Sequence, residues 1–187
     1  MFFPYTTIKT YPSRLNFEAA STLMNSFVIT RIDYYNSLFA ATPVYQTDQL
    51  QRKLNSAARL LLRVPKCDWE LRTKVRDQIH WLRAAERVSY KLCTLIYKAL
   101  HNIAPSYLAE LCVPIVADAC QSHLRSADRK ELKVPRHNLS TYGPRSFSIV
   151  GPTVWNSLPV HLRDEYLSYE QFSSGLKSFL FRISYDL

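Results

Sequence analysis

The stretch TDQLQRKLNSAARLLLRVP, residues 47–65, decides the fold class. Leu50, Leu54, Ala57, Ala58, Leu61 and Leu62 recur at the three- and four-residue intervals that line one side of an α-helix. Thr47 or Asp48 supplies the N-cap expected ahead of the first apolar position, and Pro65 ends the run because its ring cannot continue a helix. The polar side is equally regular. Arg52, Arg59 and Arg63 stand at offsets of 7 and 11 residues from the first, which return almost to the starting angle at 3.6 residues per turn. Such a row of guanidinium groups can follow a phosphate backbone, and it also suits an ordinary solvated helix face.

Helical spacing extends to both sides of this segment. Towards the N-terminus, Phe17, Ala20, Leu23, Met24, Phe27 and Val28 predict a helix that continues towards Leu38 and Phe39 and stops before Pro43. Towards the C-terminus, a short helix over residues 69–80 precedes a long one over residues 84–101, whose buried side would hold Val88, Leu92, Leu95, Ile96 and Ala99. The other side of that long helix carries Arg83, Arg87, Tyr90, Lys91, Tyr97 and Lys98 within a sector of roughly 120°. Basic groups interleaved with aromatic rings can hold phosphates and stack on bases. Tyrosines in this pattern also fill a neighbouring helix's groove while the Lys and Arg heads reach water.

Pro105 and Pro114 bracket a short amphipathic segment with Tyr107, Leu108 and Leu111. From residue 115 to 165 helical periodicity fades, Pro135, Pro144, Pro152 and Pro159 recur, and brief apolar runs such as Phe147-Ser148-Ile149-Val150 occur. This stretch reads as irregular, with room for one short β-hairpin and a turn at Gly151-Pro152. A last helix opens with Ser168 and Gln171 in capping-box spacing and buries Phe172, Leu176, Phe179 and Leu180 against the helical part. The expected fold is therefore mainly α, a helical bundle followed by an irregular, proline-rich segment and a terminal helix. Its expected divisions are a poorly ordered lead-in at residues 1–16, a basic helical region at 17–112 and a C-terminal segment at 113–187.

Composition narrows the function classes. With 187 residues, 47% of them hydrophobic, the chain can bury a real core. Only 3 Gly against 10 Pro argues against phosphate-cradling glycine loops. Cys67, Cys93, Cys112 and Cys120 have no metal-site spacing and read as reduced, buried thiols. No signal peptide and no apolar run of membrane-spanning length is evident, so an intracellular location, nucleus or cytoplasm, is expected. Of the formal net charge of +9, +7 falls within residues 51–91. A localised excess of this kind is what a polyanion-binding surface requires.

Catalytic patterns are missing from the sequence. Nucleotidyl transfer needs close carboxylates to hold two metal ions, and no Asp-Asp pair occurs. Asp33 and Asp164-Glu165 lack a partner motif, and the five histidines show no zinc-protease spacing. Trp69, Trp81 and Trp155 read as core or interface packing rather than base-stacking platforms. No enzyme activity, metal or cofactor is expected of this chain.

Six strings in order, NSFVITRIDYYNSLF (25–39), QLQRKLNSAARLL (49–61), IHWL (79–82), YKLCTLIYKALHNIAPSYLAEL (90–111), HLRSADRKELKVPR (123–136) and TYGPRSFSIVGPTVWNSLPVHLRD (141–164), resemble the region after the polymerase core in non-LTR, LINE-like retrotransposons of the jockey type and its relatives. The similarity covers about residues 20–182, leaving the first 16 unmatched, as in a truncated or mispredicted gene. The resemblance implies a thumb-like helical region and a C-terminal segment of a polyprotein that also carries an endonuclease and an RNA-directed DNA polymerase. The endonuclease carboxylates and the polymerase Tyr-x-Asp-Asp signature are absent from these residues. Members of the family often carry Pro where this chain has Arg83, which bears on the turn before the long helix.

The first expectation is therefore a catalytically incomplete retrotransposon piece whose remaining capacity is sequence-tolerant binding of an RNA or DNA phosphate backbone. Arg52, Arg59, Arg63, Arg83, Arg87 and Lys91 would make the phosphate contacts, and the polyprotein's polymerase core would be the natural partner. The alternative is a host-adopted protein-interaction module that uses exposed Tyr and Trp surfaces, including Trp155. A transcription-factor-like domain is disfavoured, since no short recognition helix with base-reading residues follows a tight turn.

Overall fold

The computed structural model describes residues 16–34, 36–66, 68–115, 130–137 and 143–186. Except for Asn16, the expected lead-in lies outside them. The described residues are mainly helical and contain no β-strand. In chain order the α-helices are α1 (Phe17–Met24), α2 (Thr30–Asp33), α3 (Val44–Leu62), α4 (Leu71–Lys74), α5 (Ala84–Leu100), α6 (Ser106–Ala109), α7 (Phe147–Asn156) and α8 (Tyr169–Tyr185). π-Helical turns at Asn25–Ile29 and Val75–Ile79 continue α1 and α4. The described residues fall into two compact units, one within Met1–Tyr34 and Asp48–Trp81, the other within Tyr35–Thr47 and Leu82–Leu187. This partition runs through α3.

In the first unit, Asn16 caps α1 by accepting the Ala19 N–H at 2.9 Å. Ala20 and Met24 of α1 and Ile32 of α2 are buried, whereas Phe17, Leu23 and Phe27, expected on the buried side, are exposed. A π-turn adds a residue to the helical repeat and rotates the next side chains off a 3.6-residue pattern, which accounts for Phe27. Phe17 occupies the first helical position. In α3, Leu54, Ala57, Ala58 and Leu61 are buried, as their spacing predicts. The helix begins earlier than its expected cap: Pro43 immediately precedes Val44, and the Thr47 hydroxyl donates back to the Val44 carbonyl at 2.8 Å instead of capping. At the other end, Arg63 turns into the left-handed region (φ 55°) and Val64 N–H closes on the Arg59 carbonyl at 3.1 Å before Pro65.

The second unit is built around α5. Cys93, Ile96, Tyr97 and Ala99 of α5 share one core with Trp155, Leu158, Leu162, Phe172, Leu176 and Leu180. Val88 and Leu92 form a smaller cluster with Ala40 and Val150. The Tyr97 ring stacks on Phe172 at 4.5 Å, its hydroxyl donates to the Leu167 carbonyl, and the Tyr90 hydroxyl meets Ser173 Oγ at 2.6 Å. The C-terminal helix α8 thus docks on α5, as its apolar spacing predicts. Ser168 caps it with the expected capping box: Ser168 Oγ accepts the Gln171 N–H, and Gln171 Oε1 accepts the Ser168 N–H.

Two expectations for residues 115–165 are corrected. Phe147-Ser148-Ile149-Val150 is the start of α7, not a strand, and Gly151-Pro152 lies inside that helix rather than in a turn. Gly151 suits its position by proximity, because a Cβ there would stand 3.3 Å from Ile96 Cδ1 of α5. Where a hairpin was expected, the described residues hold a single antiparallel bridge between Pro114 and Leu132. Ile115 N–H donates to Glu131 O at 3.0 Å and Lys133 N–H to Val113 O at 2.8 Å.

Candidate nucleic-acid interface

Arg52, Arg59 and Arg63 belong to the first unit, and Arg83, Arg87 and Lys91 to the second. Along α3, Arg52 is exposed, as is Arg63 just past the helix end, while Arg59 between them is half-buried. Arg59 Nε is shielded from solvent and has no hydrogen-bond partner. Its charge acts on Asp68 of the turn that follows α3. Arg59 is therefore less available to an outside phosphate than Arg52 or Arg63.

The turn itself is held at several points. Asp68 N–H donates to the Pro65 carbonyl at 3.3 Å, Asp68 Oδ1 accepts the Glu70 N–H at 2.8 Å, and Asp68 Oδ2 accepts from Lys74 Nζ at 2.6 Å. The Lys74 hydrogen bond, the Glu70 N–H and the fields of Lys74 and Arg59 hold the Asp68 carboxyl below the ordinary value of 3.8. The same hydrogen bond raises Lys74 above its ordinary value. Lys74 also lies 3.6 Å from Glu70, and Arg76 donates to Asp77 from Nε at 2.6 Å. Arg52, Arg63, Lys66 and Arg72 extend from exposed positions of this unit.

Trp69 stands in the middle of this turn and is 97% exposed, whereas Trp81 and Trp155 are 7% and 3% exposed. Core packing thus holds for Trp81 and Trp155, while Trp69 belongs to no core of the described residues. The physical reason is local: Trp69 sits between Asp68 and Glu70, both engaged by Lys74, on a turn with no apolar neighbour at positions 66, 68, 70 and 72. That charged setting was the sequence signal for exposure.

On α5, Arg83 and Lys91 are exposed. Arg83 precedes the helix in extended conformation, and its carbonyl accepts the Arg87 N–H at 3.0 Å. Arg87 is half-buried, its Nε–H donating to the Leu82 carbonyl at 3.0 Å. The aromatic half of the interleaved face is used for packing: Tyr97 is buried, Tyr90 is bonded to Ser173, and Lys98 lies over the Tyr169 ring at 5.0 Å. That side of α5 faces α8.

No group of three or more His, Cys, Asp or Glu that could hold a metal occurs among the described residues. Asp164 accepts from Lys130 Nζ at 2.9 Å, which holds its carboxyl below the ordinary value, and Glu165 lies 3.8 Å from the same amine. Burial pushes the Cys93 thiol up to about 12 and the Cys112 thiol up to about 11, so both are protonated at neutral pH. No described helix is long and apolar enough to cross a membrane.

The chain was compared with known proteins: no family model, no curated protein and no solved structure matches it.

Proposed function

We propose that the chain is the post-polymerase helical part of a non-LTR retrotransposon reverse transcriptase, and that its own chemical capacity is sequence-tolerant binding of RNA or DNA phosphates. The observation that carries the binding half is the placement of Arg52, Arg63 and Lys66 at exposed positions on α3 and the turn after it, inside the block holding +7 of the net +9. Exposed cations on a rigid helix neutralise phosphates and release counterions without reading base edges. Arg83 and Lys91, exposed on the second unit, are candidates for additional contacts. The retrotransposon half rests on the six sequence strings.

The test is a salt series of oligonucleotide binding by fluorescence anisotropy, on the full chain and on an Arg52→Ala/Arg63→Ala variant. Affinity should fall linearly in log–log form with salt, with a slope of about −0.9 per phosphate neutralised for duplex DNA. The variant should weaken binding to every sequence alike and flatten the slope by up to about two counterions' worth. An unchanged slope removes these side chains from the interface. Affinity for a protein partner that survives high salt, with no oligonucleotide binding, favours a protein-interaction module instead, to which exposed Phe17, Leu23 and Phe27 would lend apolar area.

A further inference from the structure

Resting on the phosphate-binding reading, we infer that Trp69 is the stacking platform for an unpaired base, so that the preferred ligand is single-stranded RNA or DNA. Three observations converge on this one side chain. First, the indole is presented to water almost entirely, while the other two tryptophans are buried. Second, its backbone is held by the Asp68 bonds to Pro65, Glu70 and Lys74. A base that lands on the ring therefore meets an uncovered aromatic face, displayed from a turn whose backbone is already fixed.

Third, the segment that carries Trp69 is cationic in sequence, with Arg59, Arg63, Lys66, Arg72, Lys74 and Arg76 against Asp68 and Glu70 over residues 59–76. The two acidic neighbours, Asp68 and Glu70, share Lys74 at 2.6 Å and 3.6 Å, and Arg59 adds its field at Asp68. Lys66 on one side and Arg72 on the other are exposed, and Arg63 and Arg52 continue the positive charge back along α3. A protein-binding tryptophan is ordinarily ringed by further apolar groups that exclude water. Trp69 instead lies in a segment of net positive charge, which favours a polyanion with an aromatic face. Every base has such a face, but in a duplex both faces are already covered by neighbouring pairs. Single strands are the ligand that offers both a free face and a phosphate backbone.

Tryptophan emission of the full chain reads this directly, because Trp69 is the one of the three exposed to solvent. The probes are an oligothymidylate of about 12 nucleotides, within the usual site sizes for such binding, and a duplex of the same length. The single strand is expected to quench the exposed emission and shield it from acrylamide, and Trp69→Ala is expected to lose about tenfold in single-strand affinity with duplex affinity and salt slope unchanged. Trp69→Phe should keep most of the affinity. Being exposed, the site tolerates both changes without loss of fold, which far-ultraviolet circular dichroism checks. Salt-dependent binding with no quenching, and no loss in Trp69→Ala, overturns the stacking role and leaves the phosphate contacts standing. No binding of either probe at low salt overturns both.

Discussion

Asn156 shows what a single side chain does for this fold. Its Nδ2 donates to the Leu132 carbonyl at 2.9 Å and its Oδ1 accepts the Leu132 N–H at 2.8 Å, so one amide replaces an adjacent strand for a buried residue. The neighbouring Trp155 Nε1–H donates to the Lys130 carbonyl at 3.3 Å, and Lys130 Nζ in turn holds Asp164. Asn156→Ala should therefore cost about 2–3 kcal/mol, since it strands a buried donor and a buried acceptor together; urea unfolding measures it. The Lys130–Asp164 pair gives a pH signature. Asp164 is held below its ordinary 3.8, so its contribution is complete above about pH 4 and is lost as pH falls through the lowered value. Lys130 is raised above 10.5, so its contribution persists below that pH and is lost as pH rises through the raised value. The stability difference between the natural chain and Asp164→Asn should be steady near neutrality and shrink as pH falls below about 4, as thermal melts at successive pH values from 7 downward would show. In the sequence, Trp155 and Asn156 carry no local signal of these partners. The segment they hold begins over 20 residues earlier, and no local spacing encodes such a pairing.

At the scale of elements, legibility follows the period. In α3, α5 and α8, apolar residues recur at helical intervals over whole turns, and burial follows that pattern at Leu54, Leu61, Leu92, Ile96, Phe172 and Leu176. The start of α8 is readable because its capping box is a local pattern. Ser168→Ala removes the acceptor for the Gln171 N–H and should destabilise the chain by about 1 kcal/mol. Faster hydrogen exchange of the first-turn amides, confined to that end of α8, is the measurement that separates this from a global effect. In α7 the same reasoning fails. Gly151 and Pro152 break helices in isolation, yet here Gly151 permits close approach to Ile96, and packing on α5 outweighs intrinsic preference. The π-turn at Asn25–Ile29 is illegible for a related reason: one added residue per turn leaves composition unchanged while shifting which side chains face inward. The candidate interface is half legible. The α3 arginine row is visible as spacing, whereas the partial burial of Arg59 between exposed Arg52 and Arg63 is not, because a sequence period does not place the elements that cover it.

For the whole molecule the question is whether binding reads total charge or its placement. The formal charge of +9 and an isoelectric point near 9.5 would attract any polyanion at neutral pH, wherever the cations lay. Contact, unlike attraction, depends on which cations reach phosphate at the same time, because only condensed counterions displaced at the contact enter the salt slope. Two variants that remove equal charge separate these effects. Arg52→Ala/Lys66→Ala takes two exposed cations from the first unit, and Lys177→Ala/Arg182→Ala takes two exposed cations from α8. If the surface around α3 carries the contacts, the first pair flattens the slope by up to about two counterions' worth and the second leaves it unchanged within error. A loss shared equally between the pairs would mean that the chain binds through its net field alone. The assignment of the interface to α3 and its following turn would then fail, whatever the absolute affinity.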